Sequence, residues 1–380
     1  MKIGLLHYSM PPAIGGVERI VAAHTRLFRI DGHEVILLCD GSQGEMAAEF
    51  PWLAVPGFQN TGEFHSNRDA FVSFIQLQKL GFLIVHNVLT MPFCPAATAA
   101  CHVLAASALP VISWVHDLAA VNPYYVVPEN DLLRQHPTGA HVVAISPERA
   151  IAYQKLTGHA SVTVVPNGID NVGELAGALL ENRPKLRAAL PGAFPVLFHP
   201  TRLLRRKNIG LGIQVASELK RLGFTPRLLI SGAAESFSGD QAAYRKELDA
   251  LVAELDLNEE IHFLADERPV AESDLTPLYA IADALFFPSE QEGFGLPMLE
   301  AGLRGLPIFA SATQPLAHLA TENGIVFDLA TSPIEITRKI SHFFSSSPSS
   351  HVRQLIRRDF DWQAIHQKHI LPLLHRPQTP

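Results

Sequence analysis

Short runs rich in Val, Ile and Leu recur along the chain, with amphipathic stretches between most of them. KIGLLHY, EVILLC, FLIVH, LPVISWV, AHVVAIS and SVTVVP read as strands. GVERIVAAHTRLFRID has the apolar spacing of a helix and ends at Gly32, a capping glycine. Runs this continuous belong to strands buried on both faces, hence to parallel sheets covered by helices. The pattern lapses over residues 171–193, where Gly173, Gly177, Pro184 and Pro191 punctuate a polar stretch. It restarts with FPVLFHP, TPRLLIS, EEIHFL, DALFFP, LPIFAS and GIVF, again with helical segments between. The expectation is two Rossmann-like α/β domains, 1–185 and 186–358, whose parallel sheets face a cleft. A terminal helix and tail, 359–380, follow. Ser345–Ser350 reads as a short Ser/Pro loop. Such sheets bind ligands at the carboxyl ends of their strands, so the loops that leave those ends carry the chemistry.

A length of 380 residues suits two domains, and 47% hydrophobic against 18% charged residues supplies two cores. The net charge of −7 and a pI near 6.2 argue against a nucleic-acid partner. The dense basic cluster Arg202, Arg205, Arg206, Lys207 is too short for a duplex footprint and suits a small polyanion. Cys39, Cys94 and Cys101 have no scaffold or metal spacing and read as buried reduced thiols of a cytoplasmic protein. The opening residues read as strand then loop, not as a signal peptide. The apolar stretch from Cys94 to Val115 is divided by Pro110 into a helix and a strand, so no integral membrane segment is expected.

PSEQEGFGLPMLEAGLRGLP, residues 288–307, carries the strongest chemical signal. After the strand DALFF come Glu292, the glycine-rich Gly293-Phe294-Gly295-Leu296, Pro297 opening a helix, and Glu300 in its first turn. Glycines let backbone N–H groups approach a ligand, and the helix N-terminus favours a phosphate. The two carboxylates can accept hydrogen bonds from sugar or ribose hydroxyls. The blander alternative is a strand-to-helix turn with an acidic helix start. Glu292 and Glu300 enclose seven residues, and EGFGLPMLE resembles the E-x7-E motif of retaining glycosyltransferases of family 4 (glycosyl transferases group 1), which have the GT-B fold. The resemblance extends over nearly the whole chain. It implies a donor-sugar contact for Glu292, a ribose contact for Glu300, and backbone contacts to sugar and phosphate from Gly293 through Leu296. It also implies a C-terminal helix crossing back to the first domain.

HPTRLLRRKNIG places Arg202 just beyond a strand and Lys207 five positions later, before a helix. Arg offers forked donors and Lys a point charge to a leaving diphosphate. The pair resembles the family's Arg…Lys clamp, while Arg205 and Arg206 have no role there and read as solvated. PPAIGGVER is not a nicotinamide fingerprint. Its Gly15-Gly16 resembles the family's first-domain glycine loop near donor phosphates and acceptor, with Glu18 a first-turn residue. SWVHDL sets His116 and Asp117 at a strand end, matching a His that touches sugar or acceptor in relatives, and no G-x-S-x-G nucleophile accompanies them. PNGID, residues 166–170, reads as structural. Ser231-Gly232-Ala233-Ala234 follows another strand and departs from the family's Gly-x-Gly, with Gly232 a donor contact. The resemblance further implies backbone contacts to the nucleobase from IHFLADERPV.

His366-x-x-His369 lacks a third ligand, and Asp359-Phe-Asp361 reads as capping before Trp362, so no metal and no cofactor is expected. The resemblance then implies transfer of a hexose from a UDP- or GDP-sugar with retention, the leaving phosphate taking the acceptor proton and Arg202 and Lys207 stabilising its charge. Domain closure would exclude water. Over residues 1–170, nine Lys/Arg stand against thirteen Asp/Glu, which favours a soluble sugar or other small hydroxyl acceptor over a membrane-bound one. A nucleotide-sugar epimerase of similar fold and a non-catalytic nucleotide-sugar binder are the alternatives.

Overall fold

Apolar runs buried on both faces become two parallel sheets. The computed structural model describes residues 1–13, 15–42, 46–58, 63–232, 239–292, 294–313 and 317–375, excepting the side chains at 171, 172, 174, 239 and 240. The chain divides into two compact units, Met1–Ile169 with Ile365–Pro380, and Asp170–Ala364.

Among the described residues the first sheet holds seven strands: β1 (Lys2–Leu6), β2 (Glu34–Cys39), β3 (Trp52–Ala54), β4 (Phe82–His86), β5 (Val111–Val115), β6 (His141–Ala144) and β7 (Val162–Val164). Their order is β3-β2-β1-β4-β5-β6-β7, all parallel. The second sheet holds β8 (Val196–His199), β9 (Arg227–Ile230), β10 (Ile261–Phe263), β11 (Ala284–Phe287), β12 (Ile308–Ser311) and β13 (Gly324–Phe327). It is also parallel, in the order β10-β9-β8-β11-β12-β13. This is the doubly wound order whose direction of growth reverses between the first and fourth strands, here β8 and β11, and ligands bind at that reversal. Leu285 of β11 lies between Phe198 of β8 and Ile308 of β12. Alternation along the strands then fills two cores. Leu197, Phe286 and Phe309 face one layer of helices, while Phe198, Leu285, Phe287 and Ile308 face the other.

Two expectations differ from the structure, and one strand was not expected. The division falls at Ile169/Asp170, whereas a boundary near residue 185 was expected from the polar stretch. That stretch forms two helices, Asn171–Glu181 and Pro184–Ala189, with the Asp170 side chain accepting from Gly173 N (2.8 Å). Ala176, Leu179, Leu180, Leu186 and Leu190 are buried in the second unit's core, which ties the segment there. Pro184 sits in a first helical turn, where its missing N–H costs nothing. The short edge strand β3 was not expected: its apolar run is only four residues long, Trp52 to Val55, between Pro51 and Pro56. Ser345–Ser350 is no loop: helices Pro333–Ser346 and Pro348–Asp359 meet at Ser347.

The chain ends by returning to the first unit. His366 bonds to Asp31, and its ring meets Phe28 edge-on at 5.3 Å. Asp361 caps the backbone of Gln363 (2.9 Å) and Ala364 (3.3 Å). Among the described residues no helix is long and apolar enough to cross a membrane, and the Cys94–Val115 stretch divides into helix Pro95–Ala105 and β5.

Helix Pro348–Asp359 is bolted to the second sheet through Asp283. This buried carboxylate accepts from Val196 N (2.8 Å) and pairs with Arg357 (2.5 Å), with Arg353 at 3.5 Å. Removing one partner of a buried pair strands the other charge. Asp283→Ala is therefore expected to cost roughly 3–5 kcal/mol of stability, measured as a lowered denaturant midpoint. A loss under 1 kcal/mol would show the pair to be superficial.

Candidate functional site

The loop leaving β8 runs Pro200-Thr201-Arg202, and Lys207 closes the short 3₁₀ turn Arg205–Lys207. Asn208 (φ 53°) then turns the chain into helix Ile209–Arg221. The β9 loop locks onto this one, since Ser231 Oγ accepts from Thr201 N at 2.8 Å and Gly232 N donates to Thr201 O at 3.0 Å. Gly232 holds φ +52°, where a side chain would be strained. From β11 comes the loop to helix Leu296–Leu303, whose N-cap Gly295 has φ +96°, so a glycine is required there. Gly293 lies outside the described residues, as do Ala233 and Ala234.

These loops line one cavity of about 470 Å³. Arg202 and Lys207 supply its charge, Gly232 and Leu296 its walls, and Glu300 an acid. Val270, Ala271 and Leu275 make an apolar end. Arg202 has no pairing side chain among the described residues. Glu292 does not line the cavity: its carboxylate is held by Lys207, and both side chains are only 11% exposed. Phe294 is half exposed.

Arg205 and Arg206, both expected to be solvated, part company. Arg205 forms a bidentate pair with Glu247 (2.7 Å twice), away from the cavity. Arg206 is not idle. It donates to Gln291 O (2.8 Å), stands 3.8 Å from Glu292, and accepts from Glu290 N through its own carbonyl (2.7 Å). It therefore braces the loop that carries Glu292.

In the first unit, Gly15 caps helix Gly16–Ile30 in an extended conformation. A Cβ there would come within 2.0 Å of the Glu18 carboxylate, which folds back over it and accepts from Ser9 Oγ. Gly16 faces open space. The neighbours His116 and Asp117 are not a dyad. The His116 ring meets His86 (Nε2 to Nδ1, 2.9 Å), whereas Asp117 pairs with Arg149 (3.1 Å) and accepts from Asn122 (3.2 Å). Asn87 Oδ1 holds the backbone N–H of both (2.9 and 3.1 Å).

Two family models match in succession. "Glycosyltransferase Family 4" covers residues 14–171 and "Glycosyl transferases group 1" covers 182–358. The chain belongs to the group 1 glycosyltransferases. Among curated relatives, the D-inositol 3-phosphate glycosyltransferase of Corynebacterium efficiens is 27% identical over 58% of this chain and 54% of that protein. That of Kineococcus radiotolerans is 30% identical over 43% of this chain and 37% of that protein. The chain thus spans about half the length, or less, of these relatives. Mannosylglucosylglycerate synthase of Petrotoga mobilis is 23% identical over 81% of each chain. Among solved structures, sucrose-phosphate synthase from Thermosynechococcus elongatus shares 17% identity over 98% of each chain at a TM-score of 0.40. Anabaena HepE in complex with UDP-glucose shares 20% over 98% of this chain and 99% of that one at 0.39. Likeness at those scores decides nothing about this chain.

Beyond the expected residues, the first unit gathers histidines from strand ends (His7, His86, His116) and from helix Gly16–Ile30 (His24). His7 Nδ1 bonds to His86 O (2.9 Å), His86 stacks on His116, and the His24 ring lies 4.7 Å from that of Trp114. In the second unit His199, the last residue of β8, is fully buried under the basic loop, with neither ring nitrogen partnered among the described residues. Burial pushes His24, His116 and His199 down to about 3, with nearby His or Lys charges adding to it. Single residues scattered across strand ends and a helix leave no periodic signal, so reading the chain linearly could not group them. Among the described residues no cluster of three or more His, Cys, Asp or Glu could hold a metal ion.

These histidines fold neutral. Once unfolded they titrate near their ordinary value of about 6.5, so below that pH the unfolded chain takes up protons that the folded chain refuses. Stability is therefore lost as pH falls from about 6.5 towards 3, by roughly 1 kcal/mol per histidine and pH unit. Calorimetry at pH 7.0 and 5.5 should show a lower unfolding temperature at 5.5, and equal temperatures would contradict the burial argument.

Proposed function

We propose that this glycosyltransferase moves a hexose from a UDP- or GDP-sugar to a hydroxyl of a small, water-soluble acceptor, with retention and without a metal ion. The observation that carries the reading is the convergence of Arg202, Lys207, Glu300 and the N-terminus of helix Leu296–Leu303 on one cavity at the sheet reversal. A nucleoside diphosphate is a polyanion joined to a ribose diol and a flat base. The cavity offers cations and a helix N-terminus for the first, a carboxylate for the second and an apolar end for the third.

As the glycosidic bond breaks, charge grows on the leaving phosphate. Arg202 and Lys207 supply the fixed positive charge that elsewhere a divalent cation provides. Lys207 is held by Glu292 in the free protein, so the donor phosphate competes for it. Glu292, once released, is free to accept from the donor sugar's hydroxyls. Gly293, Phe294, Gly295 and Leu296 offer backbone groups to sugar and phosphate, and Gly232 lies against the diphosphate or ribose. Gly15, Gly16, His116 and Asp117 are assigned to sugar and acceptor contact. With Asp117 committed to Arg149, no carboxylate of the His116 loop is available as a general base, which favours same-face attack with the leaving phosphate taking the acceptor proton. The acidic balance of residues 1–170 supports a soluble acceptor, and three unpaired cysteines support a cytoplasmic setting.

Two measurements test this reading. An α-linked donor in EDTA should give an α-linked product, read from the anomeric coupling by proton NMR. A β-product would refute retention, and turnover that needs added Mn²⁺ or Mg²⁺ would refute metal independence. Arg202→Ala and Lys207→Ala should each lower turnover on the order of 10²-fold. Arg205→Ala should be silent, and Arg206→Ala should fall between. Equal losses at all four would mean a diffuse basic patch.

A further inference from the structure

Glu300 does not stand alone in its cavity. Behind it lies Tyr279, on helix Glu272–Ile281, with a ring only 2% exposed. The phenol donates to Glu300 Oε2 at 2.6 Å. Phe198 packs edge-on against the Tyr279 ring, centroids 5.0 Å apart, and the Arg304 guanidinium lies 5.1 Å from the ring centroid. Arg304 also donates to Glu300 O (2.9 Å) and to Thr276 Oγ1 (3.1 Å), so it clips the two helices together around this pair. Both helices line the same cavity, one through Glu272 and Leu275, the other through Leu296 and Glu300.

A glutamate has three side-chain torsions, and fixing them costs binding free energy unless the protein has done so beforehand. Burial, and next the Glu300 carboxylate, push the Tyr279 phenol well above its usual range, so it remains a donor at any working pH. One carboxylate oxygen is thereby occupied, and the other is left for the ligand.

We propose that Tyr279 is a positioning residue for nucleotide recognition: it holds Glu300 by one oxygen so that the other meets the ribose hydroxyls of the donor. This rests on the reading of Glu300 as the ribose carboxylate. It makes affinity for the sugar-nucleotide depend on a residue that never touches the ligand. Because the ribose is held alike before and during the reaction, Tyr279 acts on binding and not on the chemical step.

The test is titration of UDP and GDP by calorimetry, the tighter of the two being carried forward with its 2′,3′-dideoxy analogue. Tyr279→Phe keeps the packed ring and removes only the donor. It should weaken the ribonucleotide roughly tenfold and leave the dideoxy analogue unchanged. The donor KM should rise by the same factor while turnover at saturation holds. In a Glu300→Ala background Tyr279→Phe should add nothing, which a purely structural role would not predict. Tyr279→Phe weakening both nucleotides alike, or neither, while Glu300→Ala still abolishes the discrimination, overturns the role of Tyr279 and leaves Glu300 in place. If Glu300→Ala itself leaves the ribo/dideoxy ratio intact, the ribose reading has failed.

Discussion

Where the strand order of the second sheet reverses, β8 and β11 lie side by side and release loops of opposite charge at one place. The Lys207–Glu292 pair joins those loops. Both charges are largely withdrawn from water, and neither would be tolerable there without the other. The pair keeps a cation and a carboxylate largely out of water and oriented toward each other. The rest of the second unit serves this junction. Gly232 and Ser231 pin the β8 loop, Arg206 braces the β11 loop, and Asp283 locks the far end of the same strands to helix Pro348–Asp359.

The two units use one topology for different chemistry. The strand ends of the second sheet carry formal charges, suited to a diphosphate. Those of the first sheet carry histidines that burial holds neutral, together with Asn87 and a folded-back Glu18.

Most of the fold was legible because parallel, doubly covered strands must be apolar on both faces, and such runs stand out in one dimension. The loops that line the cavity were legible for a similar reason. EGFGLPMLE and RLLRRK compress their chemistry into a few consecutive residues, so Arg202, Lys207 and Glu300 could be named before their cavity was seen. Sequence spacing also found Glu292 but not its partner. That Lys207 holds it in the free protein depends on two loops some eighty residues apart.

What the chain determined by itself was its local grammar: strands, caps, the glycine at 295 and the carboxylates at each end of the motif. What the tertiary structure alone decided was which polar groups meet. It separated Arg206 from Arg205, turned Asp117 away from His116, gave His116 to His86, and set Tyr279 behind Glu300. It also moved residues 171–189 into the second unit, since helices there bury leucines that a linear reading saw only as a stretch broken by glycine and proline. The reason is physical. Backbone preference acts over a few residues, whereas hydrogen bonds and ion pairs form between side chains that packing brings together from distant positions.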